Sequence, residues 1–126
     1  MGKIQGVGID VVDVERMKEV LEKQGKAFLD KVFSDMEVTY CKTHQKSYIH
    51  FAARFAAKEA VAKAMRTGWS GAFHWRDIEV VNDQSGAPHI LLSRDVAKAL
   101  EQFIVHLSLS HTDNTVVALV VLESKK

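Results

Sequence analysis

Ten consecutive residues, Arg54-Phe-Ala-Ala-Lys-Glu-Ala-Val-Ala-Lys63, set four long charged side chains into a run otherwise made mostly of alanine. Wound as a helix at about 100° per residue, Arg54 stands at about 0°, Lys58 at about 40°, Glu59 at about 140° and Lys63 at about 180°. Ala53, Ala56, Ala57, Ala60, Val61 and Ala64 fill the other half. That apolar face is small enough to bring the helix backbone close to a sheet or another helix. The charged half has two readings. It is a solvated face with a Glu59–Lys63 ion pair worth a few tenths of a kcal/mol, or it is a surface for phosphate and metal. In the second reading Arg54 offers a bidentate fork and Lys58, one turn on, a point charge. Lys63 could then reach a leaving-group phosphate. Asp10 stands inside an otherwise apolar stretch, where an aspartate is costly unless hydrogen-bonded, ion-paired or metal-bound. Asp10 and Glu59 together could give a hard divalent cation such as magnesium two oxygens, with water and substrate phosphate completing the shell. His111 closes Val105-His-Leu-Ser-Leu-Ser-His111, whose alternation sends His106, Ser108 and Ser110 to one face. It is either a turn histidine or a site residue at a strand end.

Other chemistries find little support. Gly-x-Ser-x-Gly is absent, and the adjacent Ser110 and His111 do not make a triad. Six scattered histidines and a lone Cys41 argue against zinc, and neither a Walker A nor a dinucleotide-binding glycine pattern is present. A net charge of +1 supplies no global field for nucleic acid or a membrane surface, so any anion site must be built locally. No apolar run approaches the length of a membrane span, and the N-terminus lacks the apolar core of a signal peptide. One cysteine forbids an intrachain disulfide and suits a reducing cytoplasm. Trp69 and Trp75 flank a glycine-interrupted loop and read as anchors holding that loop in the core.

The 126 residues suit a single domain, residues 1–126, with one core. The pattern predicts a strand at 4–12, with Gly6 and Gly8 marking close backbone approach or a bulge. Asp13 is placed to cap a helix over 14–24 ended by Gly25, and a short helix follows at 26–32. Ser34 and Glu37 fit a capping box opening a helix at 35–43, and the alanine-rich helix covers 48–66. Strands at 77–82 and 88–92 flank a turn at Asp83–Gly86. Ser93 would cap a helix over 94–103, and strands at 104–110 and 115–122 close the chain. Helices and strands come in blocks, which predicts an α+β fold with a mostly antiparallel sheet packed against the long alanine-rich helix.

On these residues the chain resembles the 4′-phosphopantetheinyl transferase family, in its small bacterial holo-[acyl-carrier-protein] synthase type. Gly8-Ile-Asp10-Val-Val-Asp-Val-Glu-Arg16 resembles the family's opening strand and first helix, and residues 54–63 its signature helix. Trp75-Arg-Asp-Ile-Glu-Val80 with Gly86-Ala-Pro88 is similar to its hairpin, and Ser108-Leu-Ser-His111 to its penultimate strand. The signature helix is specific, and the four motifs stand in the family's order along the whole chain. Two positions depart: Arg66 stands where the family usually has glycine, and Ala53 where it often does.

The resemblance implies transfer of 4′-phosphopantetheine from coenzyme A to a serine of apo-acyl carrier protein, releasing adenosine 3′,5′-bisphosphate, in fatty acid biosynthesis. It implies a magnesium ion on Asp10 and Glu59, and Lys63 beside the reacting phosphates. Arg54, Lys58 and His111 would surround the nucleotide's phosphates, and Arg16, Lys23 and Lys26 of the first helix would dock the acidic carrier. It also implies a cytoplasmic homotrimer with sites between neighbouring subunits. Two other readings stand beside it: a different magnesium-dependent transferase acting on a nucleotide or pyrophosphate, and a non-enzymatic trimeric module binding an acidic partner.

Overall fold

A computed structural model describes residues 2–66 and 74–125. Strand β1 (Ile4–Asp13) leads directly into helix α1 (Val14–Val32), because the Asp13 carboxylate accepts from the Glu15 backbone N–H at 3.0 Å and caps the first turn. The two helices expected on either side of Gly25 run on as one element with a kink, Gly25 standing at φ +52°. Only glycine adopts that conformation without side-chain strain. The predicted capping box is present at α2 (Asp35–Lys42): Ser34 Oγ accepts from the Glu37 N–H, and Glu37 Oε1 from the Ser34 N–H. Helix α3 (Ser47–Ala64) is the alanine-rich segment. A single 3-10 turn at Trp75–Asp77 precedes β2 (Ile78–Asn82), which pairs with β3 (Pro88–Leu92). Helix α4 (Arg94–Ala99), β4 (Phe103–His111) and β5 (Thr115–Ser124) complete the order.

The strands form two antiparallel sheets, not one. The larger has the order β1-β5-β4, and the smaller is the β2–β3 hairpin. Helix α4 is shorter than the pattern predicted, stopping at Ala99 so that β4 can begin at Phe103. Ser93 precedes it without a side-chain capping bond; its backbone N–H donates to the Asp77 carbonyl instead. The prediction for Trp69 and most of the 67–74 loop falls outside the described residues.

The core is α3 laid on the inner face of the larger sheet, with α1, α2 and the hairpin closing its other sides. The small helical face does what its alanines suggested. A Cβ on Gly8 would stand 2.0 Å from the Ala60 carbonyl oxygen, and one on Gly6 would stand 2.2 Å from that of Ala64. No side chain fits between strand and helix at these two points. The charged half, however, is not a solvated face: Arg54 is 3% exposed and Lys58 is fully buried. Lys63, in the last turn, is half exposed; over the rest of its length α3 is largely enclosed, and its buried charges need partners within the protein.

Candidate active site

Gly6, Gly8 and Asp10 share the face of β1 that turns toward α3. Gly6 lies against Ala64 and Gly8 against Ala60, so strand and helix run in opposite directions. The same register sets the next inward residue, Asp10, beside Ala56, within one turn of Glu59. Asp10 and Glu59 line one cavity of about 350 Å³, together with Asp13, Arg16, Phe28 and Phe55. Lys63, one turn beyond Glu59, reaches back across the strand. Its ammonium donates to Asp10 Oδ1 at 2.8 Å and to the Ile9 carbonyl at 3.0 Å. The Asp10 side chain is 13% exposed, so the pair lies at the cavity's edge and not in the deep core. The close approach permitted by two glycines thus brings three predicted site residues, Asp10, Glu59 and Lys63, into one place.

The donor set fits magnesium. Asp10 and Glu59 line one cavity with Asp13, whose carboxylate already caps α1, and no described group of three histidine, cysteine or acidic side chains forms a soft or all-protein cage. A hard cation held by one or two carboxylates, with water and phosphate for its other positions, matches that inventory.

Arg54 and His111 lie toward the start of α3, away from the carboxylates. The Arg54 guanidinium stands 4.2 Å from the Tyr40 ring centroid and donates to Asn82 Oδ1 at 2.7 Å, while its buried Nε has no partner among the described residues. His111 is exposed at the end of β4, its Nδ1 3.1 Å from the Thr112 carbonyl. Between them stand His44 and His50, ring centroids 4.3 Å apart. Burial holds His50 below the usual histidine range, and the fields of His44, Arg54 and His111 lower it further. This end of the helix therefore gathers the Arg54 guanidinium and three imidazoles, a turn or more from the carboxylate cavity.

Lys58 is a correction. Predicted to meet phosphate, its ammonium is instead 0% exposed and spends its N–H groups inside the protein. It pairs with Glu37 Oε1 at 2.8 Å and donates to the carbonyls of Trp75, at 3.0 Å, and Ile78. Burial pulls its basicity down, while the Glu37 carboxylate opposes that pull. No anion can reach it without dismantling the core.

The first helix presents Arg16, Lys23 and Lys26 to solvent as predicted, with Lys26 paired to Asp30. Met17, on the inner side of the same helix, is 3% exposed and belongs to the core. Arg16 adjoins the Asp10–Glu59 cavity, so the basic face of α1 begins at its mouth. Sequence reasoning missed Glu37, Phe55 and Asn82 as partners of the site. The Ser34–Glu37 capping box could have flagged Glu37, whose second oxygen accepts from the Val80 N–H at 2.8 Å. Cys41 is buried, and burial pushes its thiol up to about 12, so it is an inert core residue. Arg66 stands at φ +65°, where a glycine would be unstrained.

Comparison with known proteins identifies the family. The model of the 4′-phosphopantetheinyl transferase superfamily matches residues 6–120. The holo-[acyl-carrier-protein] synthase of Geobacter sp. (strain M21) is 41% identical over 123 residues, covering 95% of this chain and 98% of that protein. The crystal structure of the Neisseria meningitidis holo-[acyl-carrier-protein] synthase is 36% identical and superposes with a TM-score of 0.89 over 97% of this chain and 100% of that one. The Bacillus anthracis synthase, solved in complex with CoA (3′,5′-ADP), is 37% identical with a TM-score of 0.83, over 97% and 98% of the two chains. With a family model spanning nearly the whole chain, and relatives of this identity spanning their own lengths, the chain belongs to the 4′-phosphopantetheinyl transferase superfamily.

Proposed function

We propose that this chain is a magnesium-dependent holo-[acyl-carrier-protein] synthase. It moves 4′-phosphopantetheine from coenzyme A to a serine of apo-acyl carrier protein and releases adenosine 3′,5′-bisphosphate. The meeting of Asp10 and Glu59 on one cavity beside the basic face of α1, with Lys63 paired to Asp10 at its edge, carries the reading. The names of the relatives and the coenzyme A complex of the Bacillus anthracis synthase support it.

In the transfer the serine oxygen bonds to the pantetheine-side phosphorus, and the bond from that phosphorus to the oxygen bridging the two phosphates breaks. Such chemistry asks the protein for position and charge and not for a covalent intermediate. Asp10 and Glu59 would hold the magnesium, which neutralises the pyrophosphate and makes its phosphorus more open to attack. The serine proton passes to Glu59 or to a water it orients. Lys63 neutralises the charge that builds on the departing bisphosphate, and Arg54 and His111 hold the nucleotide's phosphates. Arg16, Lys23 and Lys26 receive the acidic carrier.

We further infer that the molecule works as a homotrimer in the cytoplasm, serving fatty acid biosynthesis. The support for association is the outer face of the larger sheet, where Val7, Ile9 and Val11 of β1 and Leu119 of β5 are exposed together. Such a patch marks a contact surface. No helix among the described residues is long and apolar enough to cross a membrane.

The deciding experiment is the intact mass of apo-acyl carrier protein after incubation with the protein, coenzyme A and magnesium. A gain equal to one phosphopantetheinyl group, lost when coenzyme A is omitted, is expected. An unchanged carrier mass at high enzyme concentration would overturn the assignment.

A further inference from the structure

The buried Glu37–Lys58 pair joins four parts of the chain that are distant in sequence. Glu37 opens α2, Lys58 sits in the middle of α3, Trp75 lies in the 3-10 turn, and Ile78 and Val80 belong to β2. The Lys58 ammonium is bracketed by Glu37 Oε1, the Trp75 carbonyl and the Ile78 carbonyl, so its three N–H donors are all matched. Glu37 in turn accepts from the backbone N–H groups of Ser34 and Val80. Interior ion pairs are often replaceable by apolar residues without loss of stability. The reason to keep a lysine here lies in what it grips: the carbonyls at either end of the single turn that presents Trp75.

Trp75 stacks on Phe55, ring centroids 5.1 Å apart and planes inclined by 20°. Phe55 packs on Phe28 at 6.0 Å, and both rings wall the cavity that holds Asp10 and Glu59. Lys58 immediately precedes Glu59, so anchoring Lys58 also fixes the rotation of α3 that aims Glu59. We propose that Glu37 and Lys58 are positioning residues for the transfer. They clamp the Trp75 turn so that its indole backs Phe55, and they hold Glu59 at its angle beside Asp10. The proposal rests on the transferase reading given above. Lys58 thereby acts on the reaction without touching a phosphate.

The test uses Trp69→Phe protein as parent, which leaves Trp75 the one tryptophan. Glu37→Gln combined with Lys58→Met removes both charges and the grip on the carbonyls, and leaves no buried charge unpaired. Three quantities are read: the thermal midpoint, Trp75 emission with acrylamide quenching, and kcat and KM for carrier. The expected result is a folded protein with red-shifted, more quenchable Trp75, kcat lowered tenfold or more, and carrier KM within twofold of the parent. A folded double variant with parental kcat, or with lowered kcat and an unaltered Trp75 signal, overturns the proposal. If the double variant does not fold, Phe55→Leu keeps the ion pair and removes the stacking partner. Loss of kcat at constant carrier KM then supports the proposal, and parental kcat overturns it. The Trp75 signal is read without substrate. It therefore reports on the clamp even if the parent transfers nothing, an outcome that would refute the transferase reading separately.

Discussion

Lys58 and Lys63 are five residues apart on one helix and do different work. Lys63 is half exposed and rests on the Asp10 carboxylate, while Lys58 is sealed against Glu37. Their spacing distinguishes them: Lys63 faces the strand thinned by Gly8, and Lys58 faces α2 and the hairpin. Replacing Asp10 by Asn or Glu59 by Gln keeps side-chain shape and removes a cation-binding charge. Each should lower turnover by about a hundredfold, which is about 2.7 kcal/mol of transition-state stabilisation. Circular dichroism should remain that of the parent; near-parental turnover at limiting magnesium would remove that residue from the metal site. His50 supplies a second test. Its folded-state affinity for a proton is depressed by burial and by His44, Arg54 and His111. As pH falls below about 6.5, the unfolded chain takes up the proton first. Stability is therefore full above that value and is lost as pH falls through the lower folded value. His50→Gln should show a smaller drop in urea midpoint between about pH 7.5 and pH 5 than the parent; an equal drop would place the titration elsewhere.

Among the elements, α1 is the one on which the proposal seats the carrier. Arg16 stands at the cavity mouth and Lys23 lies two turns on, while Met17 and Val32 on the inner side hold the helix to the core. Reversing the outer charges away from the cavity with Lys23→Glu and Lys26→Glu should raise the carrier KM tenfold or more and leave coenzyme A affinity within about twofold. It should also flatten the salt dependence of carrier use, because the charges that salt screens are gone. Parental carrier kinetics in this variant would move the dock to another surface. The caps at Asp13 and Ser34, the break in helical geometry at Gly25 and the hairpin turn at Asp83–Gly86 were legible because each is settled by residues within a few positions, whereas Ser93 makes no side-chain cap. The small face of α3 and the two strand glycines were each legible as signs of close approach, but their meeting is a long-range contact that local pattern does not give. Burial of Lys58 was not legible, since it depends on Glu37, Trp75 and Ile78, whose meeting is a matter of tertiary packing. The division into two sheets escaped for a similar reason: local pattern marks strands, and long-range register pairs them. The joint placement of Asp10, Glu59 and Lys63 came from their resemblance to a family motif more than from spacing.

For the molecule as a whole, the larger sheet has two faces with separate duties. Its inner face meets α3, and its outer face carries Val7, Ile9, Val11 and Leu119 into solvent. If that outer face joins copies of the chain, Val11→Lys should dissociate them, which sedimentation velocity would register as a fall in mass. Turnover should fall with it, since Val11 adjoins Asp10 on the same strand. An unchanged sedimentation coefficient would locate any association elsewhere. The inner face also bears on how a map of mutational tolerance should be read. Gly6, Gly8 and Asp10 form one stripe, and every substitution at the first two must push a Cβ into a helix carbonyl. Gly8→Ala should cost about 3 kcal/mol or more of folding stability through overpacking, seen as a lower urea midpoint. A library scored on activity alone would mark all three positions as equally intolerant and suggest a catalytic trio. Scored in parallel for soluble folded protein, the stripe would split: two positions fail for want of room, and only Asp10 fails while the protein still folds.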